Sequence, residues 1–212
     1  MVLIKICGLR TVETLEAALD HGADFVGFVM VRASPRYVAP DAAKALIERA
    51  RGRARSVLLF ADTPKAERDA LVATLKPDLI QLHGRETAED ASRARTDYGL
   101  PVIKAVGVSG ADDLTGLEAM EAAADHLLLD AKPPKGAAYG GGHGVAFDWT
   151  LLTGRTFAKP WFLAGGLTPD NIAEALRISH APMADVSSGV ESAPGVKDPG
   201  RIAAFLQAAR RS

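Results

Sequence analysis

The chain has 212 residues, of which 48% are apolar, and its formal net charge is −1. This length and composition suffice for a buried core in one or two domains. The near-neutral charge excludes a protein that binds nucleic acid through a basic surface, because there is no excess of cations to release counterions from phosphates.

The sequence contains one cysteine, Cys7, so an intrachain disulfide is excluded and a reducing compartment is expected. The first residues lack the basic region and apolar stretch of a signal peptide, and no apolar run is long enough to span a bilayer. We therefore expect a cytoplasmic protein that binds neither membrane nor nucleic acid.

Short apolar runs recur along the chain and alternate with amphipathic stretches. Continuous runs of this kind are typical of strands that are buried on both faces. They predict eight strands, at Leu3–Ile6, Phe25–Met30, Ser56–Phe60, Leu79–Leu82, Val102–Val106, His126–Asp130, Trp161–Ala164 and Ala184–Ser187.

Helical patterns follow most of these strands. In the first, Val12, Leu15, Ala18 and Leu19 recur at helical spacing, and Gly22 supplies the stop. Later helices have explicit start signals, each a capping side chain before a proline that suits the first turn. These signals are Thr63-Pro64, Thr168-Pro169 and Asp198-Pro199.

Strands that alternate with helices predict parallel βα units, which form either a closed barrel or an open doubly wound sheet. The number of strands favours the barrel. The first strand also runs into Cys7-Gly8-Leu9-Arg10 and not into a glycine-rich dinucleotide-binding turn. We predict an α/β fold, a single (β/α)8 TIM barrel with parallel strands, with residues 1–212 as one domain.

Residues 131–146, AKPPKGAAYGGGHGVA, interrupt this rhythm. The segment is too rich in glycine and proline for a helix or a strand. Because it follows the sixth strand, it would lie above the mouth of a barrel. We predict that it is a mobile lid, and a surface insertion is the alternative.

Barrels of this type carry their active sites at the carboxyl ends of the strands. Gly165 and Gly166 follow the seventh strand, and Ser187, Ser188 and Gly189 follow the eighth. Glycines let backbone N–H groups approach an anion, and serines add donors. A glycine pair alone can be an ordinary turn, but the coincidence at the last two strands favours a phosphate site.

A thiol and a carboxyl group end two other strands. Cys7 follows the first strand and Asp130 ends the sixth, so the two could act on one substrate from different sides as base and acid. The alternatives are a small buried apolar residue for Cys7 and a cap or ion-pair partner for Asp130.

Three more polar residues stand at the same end. Arg36 could bind a carboxylate or be a solvated loop arginine, and His83 could contact substrate or be structural. Asp185 could contact substrate hydroxyls or anchor a loop. The other histidines are too scattered for a metal site, and no cofactor motif occurs, so we expect neither a metal nor a cofactor.

Motifs in the same order along the chain resemble the phosphoribosylanthranilate isomerase family. They are Lys5-Ile6-Cys7-Gly8-Leu9, Gly27-Phe28, Ser34-Pro35-Arg36-Tyr37, Gln81-Leu82-His83-Gly84, Leu129-Asp130, Phe147-Asp148-Trp149, Leu163-Ala164-Gly165-Gly166-Leu167, Asn171 and Asp185-Val186-Ser187-Ser188-Gly189-Val190-Glu191. The resemblance departs at His143, where the family has a threonine, and this puts details of lid closure in question.

The resemblance implies an Amadori rearrangement of N-(5-phosphoribosyl)anthranilate in tryptophan biosynthesis, without a cofactor. It implies Cys7 as the general base, Asp130 as the general acid and Arg36 as the residue that holds the anthranilate carboxylate. The glycines and serines after the last two strands would hold the phosphate. The oligomeric state, monomer or homodimer, stays open.

Two kinds of alternative remain at this point. An indole-glycerol-phosphate synthase type of barrel would need a lysine acid, and a pentose-phosphate epimerase type would need a metal held by histidine and aspartate. Neither set is evident. A non-catalytic barrel that binds a phosphorylated metabolite is the alternative from another class, and a turnover assay distinguishes it.

Overall fold

The computed structural model describes residues 1–132 and 146–211. Eight parallel strands close into a barrel in chain order. They are β1 (Leu3–Cys7), β2 (Phe25–Val29), β3 (Arg55–Phe60), β4 (Leu79–Leu82), β5 (Val102–Val108), β6 (His126–Ala131), β7 (Phe162–Leu163) and β8 (Met183–Val186). The predicted parallel barrel is confirmed, and each predicted strand end lies within two residues of the observed one.

Helices surround the barrel. The described residues form α1 (Val12–Asp20), α2 (Pro40–Ala50), α3 (Lys65–Leu75), α4 (Ala88–Tyr98), α5 (Glu118–Ala123), α6 (Ile172–Ser179) and α7 (Pro199–Arg210). Between β6 and β7 the described residues contain a short 3-10 turn, Trp149–Leu152, in place of a helix. None of the described helices is long and apolar enough to cross a membrane.

Two of the three predicted helix starts are wrong. Asp198 does cap α7, because its side chain accepts a hydrogen bond from the N–H of residue 201. Thr63 lies one residue too early for α3, and its hydroxyl donates to the carbonyl of residue 61. Thr168 precedes a turn in which the Asn171 side chain accepts its N–H at 2.8 Å, so α6 begins only at Ile172.

The barrel interior changes from apolar to polar along the strands. Side chains at every second position point inward, as in any closed sheet. A separate core cluster fills the interior, formed by Phe25, Val57, Leu79, Ile103, Leu128, Phe162, Ala164 and Met183. Two residues beyond three of these come Gln81, Asp130 and Asp185, all buried. Inward polar groups therefore begin towards the carboxyl ends of the strands.

A small antiparallel hairpin follows β8, formed by β9 (Glu191–Ala193) and β10 (Val196–Lys197). The sequence did not predict it. Residues 133–145, which include His143 and most of the predicted lid, lie outside the described residues. That the whole of 1–212 forms one domain stays a prediction.

Candidate active site

Cys7 and Lys5 lie side by side at the end of β1. Both are buried, with 3% of Cys7 and 0% of Lys5 exposed. A Cβ atom at Gly27 on the adjacent β2 would lie 2.9 Å from the Cys7 Sγ and 3.3 Å from the Lys5 Cε. The missing side chain of Gly27 therefore makes room for both groups.

Asp185 on β8 pairs with Lys5 across the β1–β8 seam. Lys5 Nζ donates to Asp185 Oδ1 at 2.7 Å. Burial acts to lower the pKa of Lys5, but Asp185 and Cys7 outweigh it, so this pKa lies above its ordinary value. Burial raises the pKa of the Cys7 thiol above its ordinary value, and Asp185 adds to that rise, while the cations of Lys5 and Lys197 offset only part of it.

A second buried ion-pair network lies next to this one. Arg36, in the loop after β2, donates from Nε and Nη2 to the two Glu191 carboxylate oxygens at 2.8 and 2.9 Å. Lys197 Nζ donates to Glu191 Oε1 at 2.6 Å. Burial acts to raise the pKa of Glu191, but Arg36 and Lys197 outweigh it, and this pKa lies below its ordinary value.

Ser187 connects the two networks. Lys197 Nζ donates to the Ser187 carbonyl at 2.9 Å and to its hydroxyl oxygen at 3.1 Å. The Ser187 hydroxyl in turn donates to the Cys7 carbonyl at 3.2 Å. At the hairpin turn, Gly195 has a φ of +78°, and a Cβ there would lie 2.3 Å from the Pro35 carbonyl oxygen. The hairpin thus braces the loop that carries Arg36.

Asp130 lies on β6, with 9% of the residue exposed. His83, just after β4, places its Nε2 3.2 Å from the Asp130 Oδ2. The Gln81 amide nitrogen lies 2.8 Å from the His83 Nδ1. Because an amide nitrogen can only donate, Nδ1 is the acceptor and the ring carries its proton on Nε2, which faces Asp130.

The loops after β7 and β8 meet beside Asp130. Gly165 and Gly166 have φ values of +82° and +65°, in the left-handed region that favours glycine. A Cβ at Gly165 would lie 3.0 Å from the Asp130 Oδ1, and one at Gly189 would lie 1.8 Å from the Leu167 carbonyl oxygen. These glycines let the two loops approach each other and the end of β6.

The structure gathers the predicted site residues at one end of the barrel. One cavity is lined by Asp130, Gly165, Gly166, Asp185, Ser187 and Ser188. A neighbouring cavity is lined by His83 and Asp130 among others. Cys7 and Arg36 join them through Lys5, Ser187 and Lys197. Within 1–132 and 146–211, no group of three or more histidine, cysteine and acidic side chains could hold a metal ion.

Comparison with known proteins identifies the family of the chain. The family described as N-(5'phosphoribosyl)anthranilate (PRA) isomerase matches residues 4–208. The N-(5'-phosphoribosyl)anthranilate isomerase of Paramagnetospirillum magneticum is 53% identical over 99% of this chain and 97% of its own length. The enzyme of the same name from Rhodopseudomonas palustris is 53% identical over 100% of this chain and 97% of its own. The chain belongs to the N-(5'-phosphoribosyl)anthranilate isomerase family.

Solved structures of phosphoribosylanthranilate isomerases share the fold over the full length. The enzyme of Thermotoga maritima is 33% identical with a TM-score of 0.89, and the alignment covers 100% of both chains. A second phosphoribosylanthranilate isomerase, solved with reduced 1-(o-carboxyphenylamino)-1-deoxyribulose 5-phosphate, is 30% identical with a TM-score of 0.86 and covers 100% of both chains.

Membership in the phosphoribosylanthranilate isomerase family confirms the resemblance and the barrel inferred from the sequence. The roles of the single residues stay predictions. Two buried residues, Glu191 and Lys197, were not proposed for the site. Glu191 belongs to the motif that follows β8, but the sequence does not indicate its partners. The β9–β10 hairpin places Lys197 next to it.

Proposed function

We propose that this chain converts N-(5'-phosphoribosyl)anthranilate to 1-(2-carboxyphenylamino)-1-deoxyribulose 5-phosphate, with Cys7 as the general base and Asp130 as the general acid. Membership in the isomerase family supports the overall reaction. The observation that carries the two roles is their placement. Cys7 and Asp130 lie at the ends of strands on different sides of one mouth. Asp185 lies between them, because it lines the cavity together with Asp130 and accepts a hydrogen bond from Lys5, which is beside Cys7.

The reaction begins at the acid. Asp130 in its protonated form gives a proton to the furanose ring oxygen, the bond from that oxygen to C1 breaks, and a protonated Schiff base forms between C1 and the anthranilate nitrogen. The His83 Nε2–H points at the Asp130 carboxyl group and stabilises the carboxylate that proton transfer leaves behind.

The base completes the rearrangement. The Cys7 thiolate takes the proton from C2, and the electrons of that bond form the C1–C2 double bond of an enolamine while the Schiff base nitrogen becomes neutral. Protonation at C1 and loss of the O2 proton give the aminoketone. Lys5, which lies against the same glycine as the sulfur, favours the thiolate electrostatically.

Binding groups stand at the two ends of the mouth. The backbone after β7 and β8, with Gly165, Gly166, Ser187, Ser188 and Gly189, would hold the phosphate. That a related isomerase was solved with a deoxyribulose 5-phosphate derivative supports a phosphorylated small-molecule substrate.

At the far end Arg36 would meet the anthranilate carboxylate. Glu191 already fixes the guanidinium by two hydrogen bonds, which orients it before substrate arrives. Asp185 lines the cavity and would contact the sugar hydroxyls, although its Oδ1 already accepts from Lys5. A cytoplasmic location and the choice between monomer and homodimer stay predictions.

The test is to follow the loss of substrate fluorescence with purified protein and freshly made substrate. General-base catalysis contributes about 10²–10⁴-fold, so kcat of Cys7→Ser should fall by that factor, because a serine hydroxyl is a far weaker base. Inorganic phosphate should compete with substrate at millimolar concentration. Near-wild-type turnover by Cys7→Ser would overturn the base, and absence of turnover by wild type would favour a binding protein.

A further inference from the structure

The mouth of the barrel contains a buried cluster of ionisable groups around Cys7, which we call the base cluster. Its cations are Lys5, Arg36 and Lys197, and its anions are Asp185 and Glu191. Cys7 is the sixth member, and each of the six residues is at most 7% exposed. Three cations against two anions leave one positive charge when Cys7 is a thiol. The cluster becomes neutral when Cys7 is a thiolate, and burying an unbalanced charge is costly.

Lys197 is the cation of this cluster that does not have a carboxylate of its own. Lys5 has Asp185 as its carboxylate, and Arg36 takes both oxygens of Glu191. Lys197 shares one of those oxygens, and its other two hydrogen bonds go to neutral atoms of Ser187. The Ser187 hydroxyl binds the Cys7 carbonyl, so Lys197 stands two hydrogen bonds from the residue that carries the thiol.

We propose that Lys197 is a positioning residue of the isomerisation, which supplies the excess positive charge that stabilises the Cys7 thiolate and fixes the loop after β8 to the end of β1. The proposal rests on Cys7 being the base. The charged groups that act on Cys7 come from three elements: Lys5 on β1, Asp185 on β8 and Lys197 on β10. Burial raises the pKa of Cys7 and lowers that of Lys197, and each of these two groups favours the charged form of the other.

The single cysteine allows a direct test that needs no turnover, because alkylation by iodoacetamide reports on Cys7 alone. Lys197→Gln keeps a donor for Ser187 and Glu191 but removes the charge, whereas Lys197→Arg keeps the charge. We expect the pH midpoint of alkylation to move upward in Lys197→Gln. At neutral pH its rate, relative to its own high-pH plateau, should fall about tenfold, the effect of one pKa unit. Lys197→Arg should stay within about twofold of wild type.

Lys104 offers a matched control. It is a lysine of similar burial, 3% exposed, whose Nζ donates to the Gly84 and Ala105 carbonyls at 2.9 and 2.8 Å on the β4–β5 side. Lys104→Met should keep the wild-type midpoint. If Lys197→Gln does not fold, Lys197→Met replaces it, because Glu191 keeps both bonds from Arg36.

A folded charge-free variant with the wild-type midpoint would overturn the proposal and leave Lys197 a structural brace. The pH profile of kcat/KM for the same variants distinguishes failure of the Lys197 proposal from failure of the assignment of Cys7 as the base. Support requires that the acidic limb of the profile moves with the alkylation midpoint. If the midpoint moves and the profile does not, Cys7 is not the base, and the catalytic role of Lys197 is refuted with it.

Discussion

The two sides of the barrel mouth are built from different chemistry. Around Cys7 the groups are charged, buried and linked over long distances along the chain, as in the pair of Arg36 with Glu191. Around Asp130 the partners are the ring of His83 and, behind it, the amide of Gln81. Lys132, two residues after Asp130, is paired with Asp113 at the barrel rim.

The difference fits the two proton transfers. A thiolate base needs positive charge nearby, because burial alone raises the pKa of the Cys7 thiol. A carboxylic acid that must hold its proton until substrate arrives needs the reverse, since a cation in contact would favour the carboxylate. We infer that the base side depends on charge and the acid side on hydrogen-bond geometry.

The largest expected effect comes from removing the acid. Asp130→Asn keeps the size of the side chain but cannot donate the required proton, so kcat should fall about 10²–10⁴-fold. If the two sides are independent, the alkylation midpoint of Cys7 should stay at its wild-type value. A midpoint that moves in Asp130→Asn would contradict the division into two sides.

Arg36→Met tests the far end of the base side. Losing a charge-assisted hydrogen bond costs roughly 1.5–3 kcal/mol, or about 10–150-fold in kcat/KM. The measurement is the ratio of kcat/KM for the anthranilate substrate and for an analogue without the carboxylate. Wild type should prefer the carboxylate strongly and Arg36→Met weakly. Equal ratios in the two proteins would show that Arg36 serves only as the partner of Glu191.

The barrel could be predicted from the sequence because its signals are local. A short apolar run between helical patterns already specifies a buried parallel strand, and the carboxyl end of such a strand locates Cys7 and Asp130. The false caps at Thr63 and Thr168 have a local cause too. A proline after a polar residue marks a turn, but which side chain caps the helix depends on the next few residues, as Asn171 shows.

The base cluster could not be predicted, because its pairs are set by tertiary structure. Arg36 and Glu191 are 155 positions apart, and Lys5 and Asp185 are 180 apart. The β9–β10 hairpin that brings in Lys197 is too short for a periodic signal. The one available hint was Asp185 itself, a carboxylate within an apolar strand, which needed a buried partner.

A smaller effect is expected on the acid side when the donor to Asp130 is removed. In His83→Asn the shorter side chain cannot place an N–H group where the ring Nε2 lies, so the hydrogen bond to Asp130 is lost. That bond is worth about 0.5–1.5 kcal/mol, and kcat should fall about 2–10-fold. His83→Gln places an amide N–H near the position of Nε2 and should recover part of that loss. Equal turnover in the two variants would mean that His83 is not the group that orients Asp130.

The last prediction concerns stability and not turnover: Glu191→Gln tests how much stability the base side draws from charge, by urea unfolding over a range of pH. Glutamine offers one acceptor oxygen to Arg36 Nε and Lys197, but its NH2 group faces the Arg36 Nη2 donor and the negative charge is lost, which should cost about 3–5 kcal/mol near neutral pH. Burial raises the pKa of Glu191, yet Arg36 and Lys197 outweigh it, so the folded-state pKa lies below the ordinary 4.5.

The sign of the pH dependence of this difference follows from that direction. A group whose pKa is lower in the folded state stabilises the fold fully above its unfolded-state pKa, and this contribution disappears as pH falls through the folded-state value. The stability gap between wild type and Glu191→Gln should therefore close below about pH 4.5, the ordinary value for a glutamate.

Glu89→Gln, in an exposed pair with Arg93, is the control and should change stability little at any pH. A gap that stays constant down to strongly acidic pH would mean that hydrogen-bond geometry, and not charge, holds the base side, which would remove the distinction between the two sides of the mouth.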